Sequence, residues 1–212
     1  MFEERKINPE LLKQYREQGY WKNETLLDCW ERAAAQYPDR EYVVDDRGYR
    51  YTYRELDEAA GRVASYLMEL GIRPGEVVSY QFPIWSEFAM LTIACYKVGA
   101  VAHPIAMSYE EKELARSLNV TESRCYFGPT YFYKTDYEER ILAVRDQTPL
   151  LKDIVLIDSV KPAKSSVRLL REILASYEPL PKEQCVHTKN GHRGDPLYLR
   201  DDRRHQGRAL KP

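Results

Sequence analysis

The stretch that decides the fold is Thr52–Phe82, TYRELDEAAGRVASYLMELGIRPGEVVSYQF. Thr52 and Glu55 stand three residues apart ahead of an apolar repeat, the pattern of a reciprocal helix cap. Leu56, Ala59, Ala60, Val63, Ala64, Leu67 and Leu70 then recur at helical spacing, which predicts one amphipathic helix closed by Gly71. Arg73-Pro74-Gly75-Glu76 is a turn. Val77–Phe82 is apolar almost throughout, as a strand covered on both faces must be.

On the amino-terminal side, Thr25-Leu-Leu-Asp28 fits a second reciprocal cap. Its helix carries Leu26, Leu27 and Trp30 and ends near Tyr37-Pro38, because proline disfavours helix in the residue before it. Glu41–Asp45 and Tyr49–Thr52 flank Asp46-Arg47-Gly48 as a hairpin with glycine in the turn. Residues 1–24 are polar with scattered aromatics and read as an arm or short helix packed on something else. On the carboxyl side, Ser86 caps a helix ending at Gly99, and residues 100–105 form a short buried strand. Ser108-Tyr-Glu-Glu111 caps a helix ending near Asn119, and Arg124–Phe127 is again a strand. A helix around 136–148, the strand Ile154–Asp158 and a helix around 166–177 follow. Strand and helix alternate with short connections, so the fold class is α/β: a mostly parallel sheet flanked by helices on both faces.

Composition narrows the function. The 212 residues include 32 Lys+Arg against 33 Asp+Glu, a net charge of −1, which lacks the electrostatic footprint of a nucleic-acid binder. A hydrophobic content of 43% excludes wholesale disorder. The apolar run Phe88–Ala102 is shorter than the roughly 18 residues of a membrane span and contains Lys97. Charge occupies Met1–Lys6, where a signal peptide needs apolar residues, so a cytoplasmic location is expected. Cys29, Cys95, Cys125 and Cys185 form no CxxC pair, and the four histidines no HExxH, so no metal site is expected and the thiols read as structural. The seventeen tyrosines lack basic interleaving and read as core and rim packing, while Glu110–Glu113 and Glu138–Arg140 read as solvated helix faces. No GxGxxG, GxxxxGK[ST] or GxSxG motif is present. Taken by themselves, the residues describe an α/β domain without a complete active site, compatible with a non-catalytic binding or interaction module.

Four blocks carry a resemblance: Tyr51–Leu56, Leu70–Val78, Gln81–Phe88 and Ala94–Pro104. In this order and spacing, Thr25–Ile105 resembles the amino-terminal part of the AMP-forming acyl-CoA synthetases, the acyl-adenylate-forming superfamily. The arm Tyr15–Lys22 is similar to the branch acting on aryl and cyclic acids, including dihydroxybenzoate–AMP ligases. Ile84 and His103 stand where that family commonly carries asparagine. The resemblance implies a carboxylic acid, ATP, Mg2+ and CoA as substrates and cofactors of an intact enzyme. It also implies a large domain with two sheets and a barrel, followed by a small mobile domain, so that this chain's sheet would lack part of its cover. Residues 1–24 would then be an arm, 25–186 part of the AMP-binding domain and 187–212 a tail. No catalytic, cofactor or metal residue is assigned within the chain. His103 and Met107, taken to follow a strand end, are the candidate substrate-binding residues, and Trp85 reads as packing at the start of a helix.

The tail departs from the family. His187–Pro212 holds seven Lys/Arg, three Asp and three of the four histidines, without either period. The family's phosphate loop, of the form TSGTTGxxKG, is expected after Gly194-Asp-Pro196, where the chain instead reads Leu197-Tyr-Leu-Arg-Asp-Asp-Arg-Arg-His-Gln-Gly-Arg208. Such a loop needs glycine and hydroxyl residues that wrap phosphate with backbone N–H groups, and adjacent aspartates repel it. With synonymous codons chosen to suit, Tyr198–Ala209 shifted by one base reads Thr-Ser-Gly-Thr-Thr-Gly-Ala-Thr-Lys-Gly-Ala. The tail is therefore expected to be an out-of-frame translation of the phosphate loop.

Overall fold

The computed structural model describes residues 8–187 apart from 23, 159 and 166. α1 (Pro9–Glu17) is capped by Asn8, whose Oδ1 accepts the Glu10 N–H at 2.9 Å. Leu11, Tyr15, Tyr20 and Trp21, on and after it, are exposed. α2 (Leu26–Gln36) begins at the expected reciprocal cap: Thr25 Oγ1 accepts from Asp28 N–H and Asp28 Oδ2 from Thr25 N–H. β1 (Glu41–Val44) and β2 (Arg50–Thr52) form the antiparallel hairpin. Its turn takes Gly48 to φ +85°, a conformation that favours glycine. α3 (Tyr53–Glu69) carries the second reciprocal cap, Thr52 with Glu55, and buries the whole stripe from Leu56 to Leu67.

The sheet follows. β3 (Val77–Tyr80), α4 (Ser86–Val98), β4 (Val101–Pro104), α5 (Glu111–Val120) and β5 (Cys125–Pro129) alternate as expected. Next come a small hairpin of β6 (Tyr131–Phe132) and β7 (Thr135–Asp136), then α6 (Tyr137–Ala143), β8 (Asp153–Ile157), β9 (Arg168–Leu169) and α7 (Leu170–Ser176). The five long-range strands pair in the order β4-β3-β5-β8-β9, all parallel. Side chains alternate between two cores. Val78, Tyr80, Cys125, Phe127, Val155 and Ile157 face α3, α4 and α7, while Tyr126, Ile154 and Leu156 face α5 and α6. Helices of this chain therefore cover both faces of the sheet, which corrects the expectation of a sheet lacking part of its cover.

Buried polar groups brace the helices. Lys97, the charge that interrupts the apolar run of α4, is 2% exposed and pairs with Asp57 of α3 at 2.8 Å. The same carboxylate accepts the Trp30 indole N–H of α2 at 2.6 Å. Gly61 of α3 admits the later chain: its carbonyl accepts the Leu180 N–H, and a Cβ there would meet Pro179 at 2.9 Å. The four cysteines are free, and burial pushes the Cys95 thiol up to about 12.

Several local expectations are corrected. Trp85, not Ser86, is the cap residue of α4, and it makes no side-chain cap bond. α5 begins at Glu111 behind Glu110, so Ser108 caps nothing. The helix expected to reach residue 148 ends at Ala143, because the chain tightens into a 3-10 turn at Arg145–Gln147. The helix expected from 166 starts at Leu170, since Arg168 and Leu169 pair with β8 instead. The β6–β7 hairpin had no sequence forecast. Among the described residues no helix is long and apolar enough to cross a membrane. The tail beyond His187, with its proposed change of frame, lies outside the described residues.

Candidate functional site at the carboxyl end of the sheet

β3 has β4 on one side and β5 on the other, and the chain leaves it over one face and returns over the opposite face. Strand ends diverge at such a reversal and leave a crevice, the usual ligand position in open α/β sheets. Residues 81–85, 105–110 and 130–137 converge there.

Gln81, directly after β3, is fully buried. Its backbone N–H donates to Phe127 O at 2.9 Å, holding the end of β3 against β5. Its side-chain Nε2 donates to Ala106 O at 2.7 Å, and its Oε1 accepts the Tyr126 hydroxyl at 2.9 Å. A buried amide is costly unless both ends are bonded, and here both are. Burial also pushes the Tyr126 phenol far up, so it remains a donor. The turn after β4 gains two further clamps: Tyr137 Oη donates to Met107 O at 3.0 Å and Arg140 to Tyr109 O at 2.8 Å. The backbone of residues 106–109 is thus held by side chains from α6 and the end of β3, with Tyr126 of β5 fixing the Gln81 amide behind them.

His103 lies inside β4, opposite Ser79 in the strand register, not after the strand end as expected. Its Nδ1 is 2.8 Å from Ser79 Oγ, on the face that carries α5. Met107 packs against the other core. The two candidate residues therefore belong to opposite faces of the layer, and Met107 alone sits in the clamped turn.

A polar cluster at the neighbouring start of α4 escaped the sequence reading. Arg47 of the β1–β2 turn lies over the Trp85 ring at 3.9 Å and pairs with Asp45 at 2.6 Å and with Glu87. Asp45 Oδ2 accepts the Ser86 hydroxyl at 3.1 Å and the Ser86 N–H at 3.3 Å, so the hairpin supplies the negative charge that favours a helix N-terminus. Burial alone would raise the Asp45 carboxyl, but the bonds from Arg47 and Ser86 outweigh it and hold the group below its ordinary value. Trp85 itself is buried and packs edge-on against Phe132, as expected of a packing residue. No spacing rule links residues forty positions apart, so nothing in the sequence signals this cluster.

The donor set decides what the crevice can hold. Gln81, Tyr126, Tyr137 and Arg140 bond to one another and to the 106–109 carbonyls. Transferring a nucleotide requires donors aimed at developing phosphate charge. The described residues at this end do not form a triphosphate cradle.

Comparison with known proteins gives a consistent family. The model of the AMP-binding enzyme family matches residues 30–199. The medium-chain fatty-acid–CoA ligase of Escherichia coli (strain K12) is 39% identical over 173 residues, covering 82% of this chain and 30% of that protein. The 2,3-dihydroxybenzoate-AMP ligase of Bacillus subtilis (strain 168) is 31% identical over 147 residues, covering 69% and 27%. Among solved structures, the apo form of Mycobacterium smegmatis MbtA superposes with a TM-score of 0.69 at 26% identity, over 82% of this chain and 32% of that one. The chain thus spans less than a third of the length of these relatives.

Proposed function

The chain belongs to the AMP-binding enzyme family, and from that premise we propose that it is the amino-terminal part of an AMP-forming acyl-CoA synthetase. The whole enzyme would join a carboxylic acid to CoA with cleavage of ATP to AMP and pyrophosphate, using Mg2+. Its acid would have an apolar body, fatty or aryl, in keeping with the names of the relatives at 39% and 31% identity. Four free cysteines suit a reducing compartment, the cytoplasm. This chain would contribute the clamped turn after β4 to the acid or CoA passage, with Met107 in the turn and His103 behind it in the strand.

The 212-residue chain does not itself form acyl-adenylate or acyl-CoA. The observation that supports this is that Gln81, Tyr126 and Tyr137 are bonded within the strand ends, while the family resemblance implies phosphate binding at the loop after Gly194-Asp-Pro196. There the chain reads Arg200-Asp-Asp-Arg-Arg204, and the family match ends at residue 199, beside the point where the shifted frame would begin. Pyrophosphate release by the purified chain, measured with a panel of fatty and aryl acids, should equal the no-enzyme control. Restoring the frame at codon 198 and continuing into the downstream DNA should yield turnover. Activity of the 212-residue chain that mutations in it abolish, or no synthetase-like frame in that DNA, would overturn the proposal.

A further inference from the structure

His187 lies on α2 at the end of a segment that runs back over the helical face of the sheet. Leu180 N–H donates to Gly61 O of α3, and Val186 N–H donates to Lys97 O of α4. His187 then reaches Asp28 and Glu31, one helical turn apart on α2, with Nδ1 at 2.9 Å from Asp28 Oδ1 and Nε2 at 3.8 Å from Glu31 Oε1. Each acid has a spare oxygen for this meeting. Asp28 commits Oδ2 to the Thr25 cap and leaves Oδ1 facing the imidazole. Glu31 Oε1 is buried and makes no hydrogen bond among the described residues. A buried carboxylate oxygen without a bonded partner is costly, and a cation would satisfy it.

We propose that Asp28, Glu31 and His187 form a divalent-metal site, with Zn2+ as its ion, that fastens the 178–187 segment to α2. One oxygen from each acid and one ring nitrogen lie within 4.8 Å of one another. An ion about 2.1 Å from each donor draws such atoms to roughly 3.3 Å apart, a shift within reach of side-chain torsions. Two carboxylates and a neutral imidazole balance the charge of the ion, and this borderline donor set favours Zn2+ over Mg2+, which prefers oxygen alone. Protein donors fill three positions and water the fourth. Two ligands come from one turn of α2 and the third from 159 residues away along the chain, so binding couples to docking of the segment. The expectation of no metal site rested on spacing within the sequence, which cannot register ligands brought together by the fold.

The test titrates the full 212-residue chain with ZnCl2 at pH 7.5, competing against a zinc-sensitive dye, with MgCl2 in parallel. One Zn2+ site should appear that Glu31→Gln and His187→Ala each weaken by about tenfold or more. Both variants should keep the parent circular dichroism without metal, and Cys29→Ser, beside the site, should bind as the parent does. Zn2+ should slow proteolysis within 178–187 in the parent and not in His187→Ala. Absence of a stoichiometric site, unchanged affinity in either the Glu31 or the His187 variant, or loss confined to Cys29→Ser would overturn the proposal.

Discussion

Replacing Gln81 by methionine tests how the carboxyl end of the sheet is held. The substitution keeps the length of the side chain and removes both polar ends. Tyr126 loses the acceptor at 2.9 Å for its fully buried hydroxyl, and an orphaned buried donor costs about 1–3 kcal/mol. Ala106 loses the donor at 2.7 Å, but its exposed position returns the carbonyl to water, so this loss is nearer 0.5 kcal/mol. The expected sum is about 2–3 kcal/mol, or a fall in Tm of about 5–10 °C for a chain of this size. Tyr126→Phe alone should cost about 1–2 kcal/mol, because Gln81 keeps its bond to Ala106. In the double variant neither partner is stranded. Urea unfolding of the four proteins should therefore give a coupling energy of about 1 kcal/mol, in the direction that makes the double variant milder than the sum. Additivity within about 0.4 kcal/mol would refute the Gln81–Tyr126 bond as the element that holds this end.

Two further outcomes follow from described contacts. Gly61→Ala should destabilise despite alanine's better helix propensity, because its Cβ would meet Pro179 at 2.9 Å; overpacking of about 1–3 kcal/mol exceeds a gain of about 1, and faster proteolysis near residue 179 would register it. Asp45 has a folded pKa below its unfolded one, so its contribution is present at neutral pH and is lost as pH falls through the folded value; Asp45→Asn should lower the urea midpoint at pH 7, the gap to the parent narrowing below about pH 4, and a constant gap would contradict this.

The sequence made legible what is local. The caps at Thr25 and Thr52 bind residues three apart, and the Leu56–Leu67 stripe repeats within one helix, so both could be read without knowing the fold. The same local logic misled at Ser86: the residue type suits a cap, but Asp45 already serves that helix end from forty-one residues away. Arg168 and Leu169 look helical by composition and become strand only because β8 offers them an edge. The site suffered most, because its geometry is wholly non-local. His103 was found through a block resembling a family, and only the strand register shows it bonded to Ser79. Gln81 stands within such a block too, but no sequence signal marks its role, since its partners at 106 and 126 become neighbours only after three strands pair.

Placing Val77–Tyr80 inside the sheet, one strand from its edge, orders the steps of synthesis. Residues 53–104 hold α3, β3, α4 and β4, a unit whose pairings are short in sequence and which can collapse while the rest is still being translated. β5 then adds to the free edge of β3, and β8 and β9 follow on that side, each beside the preceding strand of the sheet. Every strand of the sheet is complete by Leu169, well ahead of codon 198. A ribosome that changes frame at that codon has already made the whole sheet, so the nascent sheet would be the same in either reading frame.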